Sequence, residues 1–165
     1  MSAIGDAATF VPAPPALETR VRAVLAGVAD PEIPVLSVLD LGVVRAVELG
    51  SDGTVRVAVS PTYSGCPATA VIRRDIVQAL MAAGFQGATA YDRISPPWSS
   101  DWISPEGHRK LREYGIAPPS PDRDVACPRC GSRSIRRLSE FGSTPCKALY
   151  RCESCLEPFD RFKCH

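Results

Sequence analysis

The sequence predicts an α/β (α+β) chain in two parts: a small α-β-β-α-β domain, then a C-terminal module held together by metal. Three observations carry this. Helix-period and strand-period segments alternate over roughly the first 115 residues. A proline-rich polar stretch, "IAPPSPDRDVA", then breaks the pattern. Beyond it, six of the seven cysteines fall between residues 127 and 164.

The elements follow in order. "MSAIGDAATFVPAPPA" has no basic region leading into an apolar run, so residues 1–15 read as a flexible arm rather than an export signal. "ALETRVRAVLAGV" sets Leu17, Val21, Val24, Leu25 and Val28 on one helical stripe, with Glu18, Arg20 and Arg22 outside it. In "DPEIPVLSVLDLG", Pro31 and Pro34 forbid a continuing helix. That segment is an acidic loop anchored by Leu36, Val38 and Leu41. "GVVRAVEL" and "TVRVAVS" flank "GSDG", the signature of a β-hairpin. "ATAVIRRDIVQALMAAG" is a second helix with its stripe at Ala68, Ile72, Ile76, Ala79, Leu80 and Ala83, stopped by Gly84. "FQGATAYDRI" returns as a third strand. The Trp98 and Trp102 loop covers the sheet, and "SPEGHRKLREYG" is a short helix between a Ser104 N-cap and a Gly115 stop. The first domain thus spans 16–117, the linker 118–124 and the module 125–165.

Composition excludes several classes. The chain is 45% hydrophobic and 22% charged, with no apolar run of bilayer length, so a cytoplasmic protein that does not enter membranes is expected. In that compartment thiols stay reduced, and paired CxxC motifs read as metal ligands rather than disulfides. The net charge of +1 is uneven: residues 1–124 hold 11 Lys/Arg against 14 Asp/Glu, and residues 125–165 hold 8 against 4. A basic tail could hold protein or nucleic acid, but the acidity of the first domain argues against polyanions. No Ser-His-Asp order, phosphate loop or HExxH motif is present. The two histidines, His108 and His165, offer no evident base for a thiol nucleophile.

The tail carries the strongest motif. Cys127-x-x-Cys130 and Cys152-x-x-Cys155 stand 21 residues apart. Each pair forms a knuckle that aims two thiolates at one point, and two knuckles complete a tetrahedron. With "SIRRLSE" and "KALYRC" as strands between them, this is a zinc-ribbon pattern with a structural Zn²⁺. Cys146 and Cys164 are left over. They are either small apolar residues or alternative ligands, including ligands for an iron–sulfur cluster.

Cys66 stands apart from the other six, in "SPTYSGCPAT". Pro67 suits the first helical position, which puts Cys66 at the N-cap. A sulfur there faces the positive end of the helix dipole and free N–H groups, which favours thiolate. Gly65 allows close approach of a ligand, and Thr62, Tyr63 and Ser64 offer hydroxyls. The same cysteine could equally be a small buried residue. Asp30 and Glu32 bracket Pro31 and could bind metal or accept hydrogen bonds, although most acidic loops are only solvated.

"DPEIPVLSVLDLGVVR" with "SPTYSGCPAT" resembles the small domain of iron–sulfur cluster assembly and targeting factors, over roughly residues 17–117. With "WSSDWISPEGHRKLREYGIAPP" and "FGSTPCKALYRCESCLEPFDRFKC" added, nearly the whole chain resembles the PaaD (PaaJ) family of phenylacetate-degradation operons. That resemblance implies an accessory, non-catalytic role in maturing the phenylacetyl-CoA epoxidase system. The protein would assemble or deliver an iron–sulfur or metal centre to the oxygenase or reductase component, alongside iron–sulfur assembly machinery. It also implies that Cys66 is the functional thiol, with Asp30, Glu32 and Thr62 supporting it. Cys66 would carry iron or a cluster transiently. One protein thiol leaves an incomplete shell, so a homodimer or a partner's thiol is expected to complete it.

Overall fold

The computed structural model describes residues 8–165. Most of the expected arm, residues 1–7, lies outside them. The remainder is not free: Phe10–Pro12 forms a first strand, β1, antiparallel to β2 (Val44–Gly50). Backbone pairing at an open sheet edge orders a segment whose composition alone reads as an arm.

Helix α1 (Pro15–Leu25) starts on a proline, where the missing N–H costs nothing, and buries Val21 and Leu25. β2 and β3 (Val55–Val59) form the antiparallel hairpin expected from Gly50–Gly53, and Gly53 takes φ +81°. Helix α2 (Ala68–Ala82) buries Ala68, Thr69, Ile72, Ile76 and Leu80. It ends one residue earlier than the periodicity suggests, which leaves Ala83 exposed. The chain then crosses over to β4 (Thr89–Asp92), parallel to β3, giving the sheet order β1-β2-β3-β4.

The loop before β2 is built as carefully as the strands. Leu36 and Val38 are fully buried, and Asp30 N–H donates to the Leu36 carbonyl at 2.8 Å. Asp40 accepts from the Ser37 N–H and hydroxyl and from Lys110 Nζ at 2.7 Å. Lys110 lies on helix α3 (Pro105–Tyr114), so this ion pair pins α3 to the loop. Ser104 caps α3 through the Gly107 N–H, and Gly115 ends it at φ +89°. Gly42 is required at its position. It adopts φ +71°, and any Cβ there would collide with the Trp102 backbone. Both tryptophans pack: Trp98 is buried and donates Nε1–H to the Leu41 carbonyl at 3.0 Å, and the Arg45 guanidinium stacks 3.4 Å over Trp102.

The second sheet has the order β5-β8-β7-β6. β6 (Ile135–Ser139) and β7 (Lys147–Cys152) are the two expected strands. β8 (Pro158–Phe162) is additional, and its inward Arg161 hides the alternation that would announce it. β5 (Ile116–Ala117), placed in the first domain on sequence grounds, pairs in parallel with β8. The segment expected as a free linker is also tied down. The buried Arg161 side chain donates to Asp122 Oδ1 and to the Ser120 carbonyl.

The two parts share a core. Ile116, Cys146 and Phe162 lie in one apolar cluster with Val21, Ile72, Val59 and Trp98 of the first part. The Trp98 and Phe162 rings are 5.9 Å apart, and Ser100 N–H donates to the His165 carbonyl at 3.1 Å. No helix among the described residues is long and apolar enough to cross a membrane.

Phe162 is 1% exposed, so Phe162→Ala is expected to cost about 3–5 kcal/mol. Because Trp98 loses its cover, the urea transition should fall and tryptophan emission should shift to the red. A variant with unchanged emission would show that the ribbon does not dock through this ring.

Candidate functional site

Two groups of chemically capable side chains stand out. The first is the four-thiol set. Cys127, Cys130, Cys152 and Cys155 place all their sulfurs within 4.8 Å of one another. Cys127 Sγ lies 3.7 Å from Cys155 Sγ, and Cys130 Sγ lies 3.5 Å from Cys152 Sγ. A tetrahedron of Zn–S bonds of about 2.3 Å puts its sulfurs about 3.8 Å apart, so the spacing fits such an ion. The knuckles are set by local backbone. Gly131 turns back at φ +75° so that its N–H reaches the Cys127 carbonyl at 2.9 Å. Leu156 takes φ +65° after the second knuckle. The Cys155 N–H helps hold the Cys152 thiol down at about 6, toward the thiolate that a metal needs.

The two remaining tail cysteines do not join this set. Cys164 is exposed, with its sulfur 3.3 Å from the Ser120 carbonyl. Cys146 is buried and faces the other site. The expectation that either could serve as an alternative ligand of the tail centre therefore meets a geometric obstacle.

The second site surrounds Cys66. β3 ends at Val59, and the next residue, Ser60, is fixed by its N–H to the Val43 carbonyl at 2.8 Å and its hydroxyl to the Arg93 carbonyl at 2.7 Å. Residues 61–65 turn, with Gly65 at φ +79°, and Cys66 N–H closes the turn onto the Tyr63 carbonyl at 3.2 Å. The Cys66 carbonyl accepts from Thr69 N–H at 3.2 Å, and Pro67 already has helical dihedrals. Pro67 is thus the N-cap of α2 rather than its first residue, and Cys66 stands one position before the cap instead of at it.

Its side chain, half-buried, borders two spaces. Inward is a small cavity of about 10 Å³, lined by Asp30, Glu32, Thr62, Cys66, Cys146 and Phe162 among others. Outward is an open groove of about 580 Å³, with Thr62, Tyr63, Arg93, Trp98 and His165 on its walls. Asp30, Glu32 and Thr62 thus line one cavity with Cys66. His165 also reaches the groove, whereas His108 lies elsewhere, on α3.

Burial dominates the electrostatics here. It raises the Asp30 carboxyl above its ordinary value. Two N–H donors, Ile33 at 2.7 Å and Glu32 at 2.9 Å, pull it partly back. Burial and the neighbouring Asp30 charge raise Glu32. The Tyr63 phenol is also pushed up, first by burial and then by Cys66, Glu32 and Cys146. Its hydroxyl is buried without a hydrogen-bond partner among the described residues. Sequence reasoning named Tyr63 only as one of the hydroxyls of the turn, and it missed Cys146 and His165 at this site. No local signal marks Cys146 or His165, because both arrive through the docking of the ribbon.

Asp30→Asn should keep both turn bonds in weaker, neutral form, since an amide oxygen also accepts, while removing the larger cost of a buried charge. A raised folded-state pKa means that wild-type Asp30 favours folding most below about 3.9, its unfolded value, and loses that contribution as pH rises through the folded-state value. Asp30→Asn is therefore expected to be the more stable protein at pH 7, with the difference vanishing in acid. Urea midpoints measured across pH check this, and a less stable variant at pH 7 would contradict it.

Comparison with known proteins matches the two regions separately. Residues 18–87 match the family described as iron–sulfur cluster assembly protein, and residues 114–163 match the PaaD zinc beta ribbon domain. An "Fe-S protein maturation auxiliary factor" of Porphyromonas gingivalis is 35% identical over 57% of this chain and 90% of its own. The crystal structure of a DUF59 domain from Bacillus anthracis superposes with a TM-score of 0.54 at 26% identity, over 58% of this chain and 92% of that one. A protein of Escherichia coli K12 named as a 1,2-phenylacetyl-CoA epoxidase component is 46% identical over 92% of this chain and 95% of its own. Likeness of that degree, running through both the thiol turn and the four-cysteine ribbon, places this chain in the PaaD family of phenylacetyl-CoA epoxidase components.

Proposed function

We propose that this protein is an accessory maturation factor that assembles or delivers an iron–sulfur or metal centre to the oxygenase or reductase component of a phenylacetyl-CoA epoxidase. Cys66 is the handling thiol, and Asp30, Glu32 and Thr62 shape its surroundings. The observation that carries this reading is the position of Cys66 between an acid-lined cavity and an open groove, inside the segment that matches the iron–sulfur assembly family. Kinship with a named epoxidase component and with named maturation factors supports it.

The chemistry is ligand exchange rather than catalysis. A cargo iron or cluster held by few protein thiolates keeps open coordination positions. The groove leaves room beside Cys66 for a client's own ligand to enter, so the cargo can pass without first being released to water. Gly65 and the small turn residues keep that side unobstructed.

In this reading the four-thiol centre holds a structural Zn²⁺. Its closed, fully sulfur-ligated set leaves no position for a substrate. The apparent binding free energy of such sites, about 10–16 kcal/mol, is ample to fold a module of this size. Contact with a polyanion is the weaker alternative. Of the tail's eight basic residues, Arg136, Arg137, Lys147 and Arg161 are already ion-paired, and the last two are buried.

Cys66→Ser is expected to keep the fold and one zinc per chain, yet abolish activation of the epoxidase in a reconstituted maturation assay. Activation at the wild-type rate would remove Cys66 from the mechanism. Cys127→Ser, or prolonged chelation, should instead strip the zinc and unfold β6–β8, read by metal analysis and loss of amide-exchange protection. A zinc-free protein with an intact, protected ribbon would refute the structural role of the metal.

A further inference from the structure

Cys146 takes no part in the four-thiol set, yet it is only 4% exposed. It immediately precedes β7, and its carbonyl accepts from Lys163 N–H at 2.9 Å, which anchors it between β7 and the segment after β8. The Thr144 hydroxyl lies 3.0 Å from its sulfur. From there it projects into the first domain's core and lines the same cavity as Cys66, Asp30 and Glu32. Four side chains whose ionised forms are all anionic therefore surround one space. The cation these groups feel is Lys147, itself committed to Asp160 at 3.6 Å.

The chemistry of the lining selects the ligand. Thiols favour a thiophilic metal over magnesium or calcium, and mixed sulfur and carboxylate donors suit an ion such as Fe(II). The cavity, about 10 Å³, matches one water-sized occupant and is too small for a cluster. We propose that Cys66 and Cys146 together bind a single thiophilic divalent ion, with Asp30 and Glu32 as its oxygen donors. This rests on the reading of Cys66 as the metal-handling thiol, and it supplies the second thiol from within the chain rather than from a partner. Binding releases the two thiol protons to solvent, so two thiolates neutralise the divalent charge. Unlike the ribbon's four sulfurs, these groups do not stand together as a ligand set in this conformation. Capture therefore requires side-chain rotation, as suits a site that must also give up its ion. β7 links Cys146, the residue just before it, to the ribbon ligand Cys152, so a folded ribbon is what holds the second thiol in place.

The test is an anaerobic titration of the zinc-loaded, full-length protein with Co(II), followed by its thiolate-to-cobalt absorption and by zinc content. Wild type is expected to take up one Co(II) without losing zinc. Cys146→Ser and Cys146→Val should each weaken that uptake by at least about tenfold and reduce the absorption. Serine keeps the size of the side chain and valine keeps its apolar packing, so whichever variant retains zinc and the wild-type urea midpoint carries the comparison. If Cys146 variants bind Co(II) like wild type while Cys66→Ser does not, Cys146 is no ligand and the proposal falls, although the role of Cys66 survives. If wild type takes up no second ion, the proposal also falls, and the maturation assay on Cys66→Ser judges the function separately.

Discussion

The docking of β8 and the residue before β7 into the first domain's core is the interaction on which the rest depends. Full burial of a Phe such as Phe162 is worth about 1.5–3 kcal/mol, a large share for a module that size cannot stabilise alone. Once the ring sits against Trp98, the neighbouring positions have little choice. Cys146 must enter the core, Arg161 must find Asp122 and the Ser120 carbonyl, and the proline-rich segment becomes a strap. The ribbon is then a wall of the Cys66 cavity rather than an appendage.

That wall changes what the acidic turn can do. Asp30 in an open loop would be solvated at little cost. Beneath the ribbon it is 5% exposed, and its two N–H donors only partly replace water. Glu32 shares the enclosure and feels the Asp30 charge. A fold carries such a cost where the groups have work to do, and unfavourable burial of like-charged groups is a common mark of functional sites. The four-thiol centre is the opposite case: its sulfurs are already at the spacing of a closed tetrahedron, which suits permanence.

Much of this could be read from local pattern. The hairpin at Gly50–Gly53, the stripe of α2 and the caps of α3 are short-range chemistry, and they form where the periodicity and turn residues put them. The paired CxxC knuckles are equally local. The failures are equally physical. Phe10–Pro12 is a strand because β2 offers an edge, not because of its own composition. β8 was hidden because Arg161 points inward, against the apolar alternation, and is satisfied by partners 39 and 41 residues away. Ile116–Ala117, placed at the end of the first domain, is instead a strand of the second sheet because its pairing partner lies more than 40 residues later.

The sequence alone determined the elements other than β1, β5 and β8, the two chemical motifs and the kinship, because each is written in residues close together along the chain. It could not decide whether Cys66 was a core residue or a site, since burial, cavity and neighbours are not local properties. Tertiary structure supplies those properties: it brings Cys66, Asp30 with Glu32, and Cys146 to one space from three distant segments, which supports the proposal that Cys66 is a site. It also separated Cys146 from the four cysteines with which it is grouped in sequence. The reason is geometric: a tetrahedral centre takes four sulfurs, and the strand leading into Cys152 leaves the fifth at its far end, against another core.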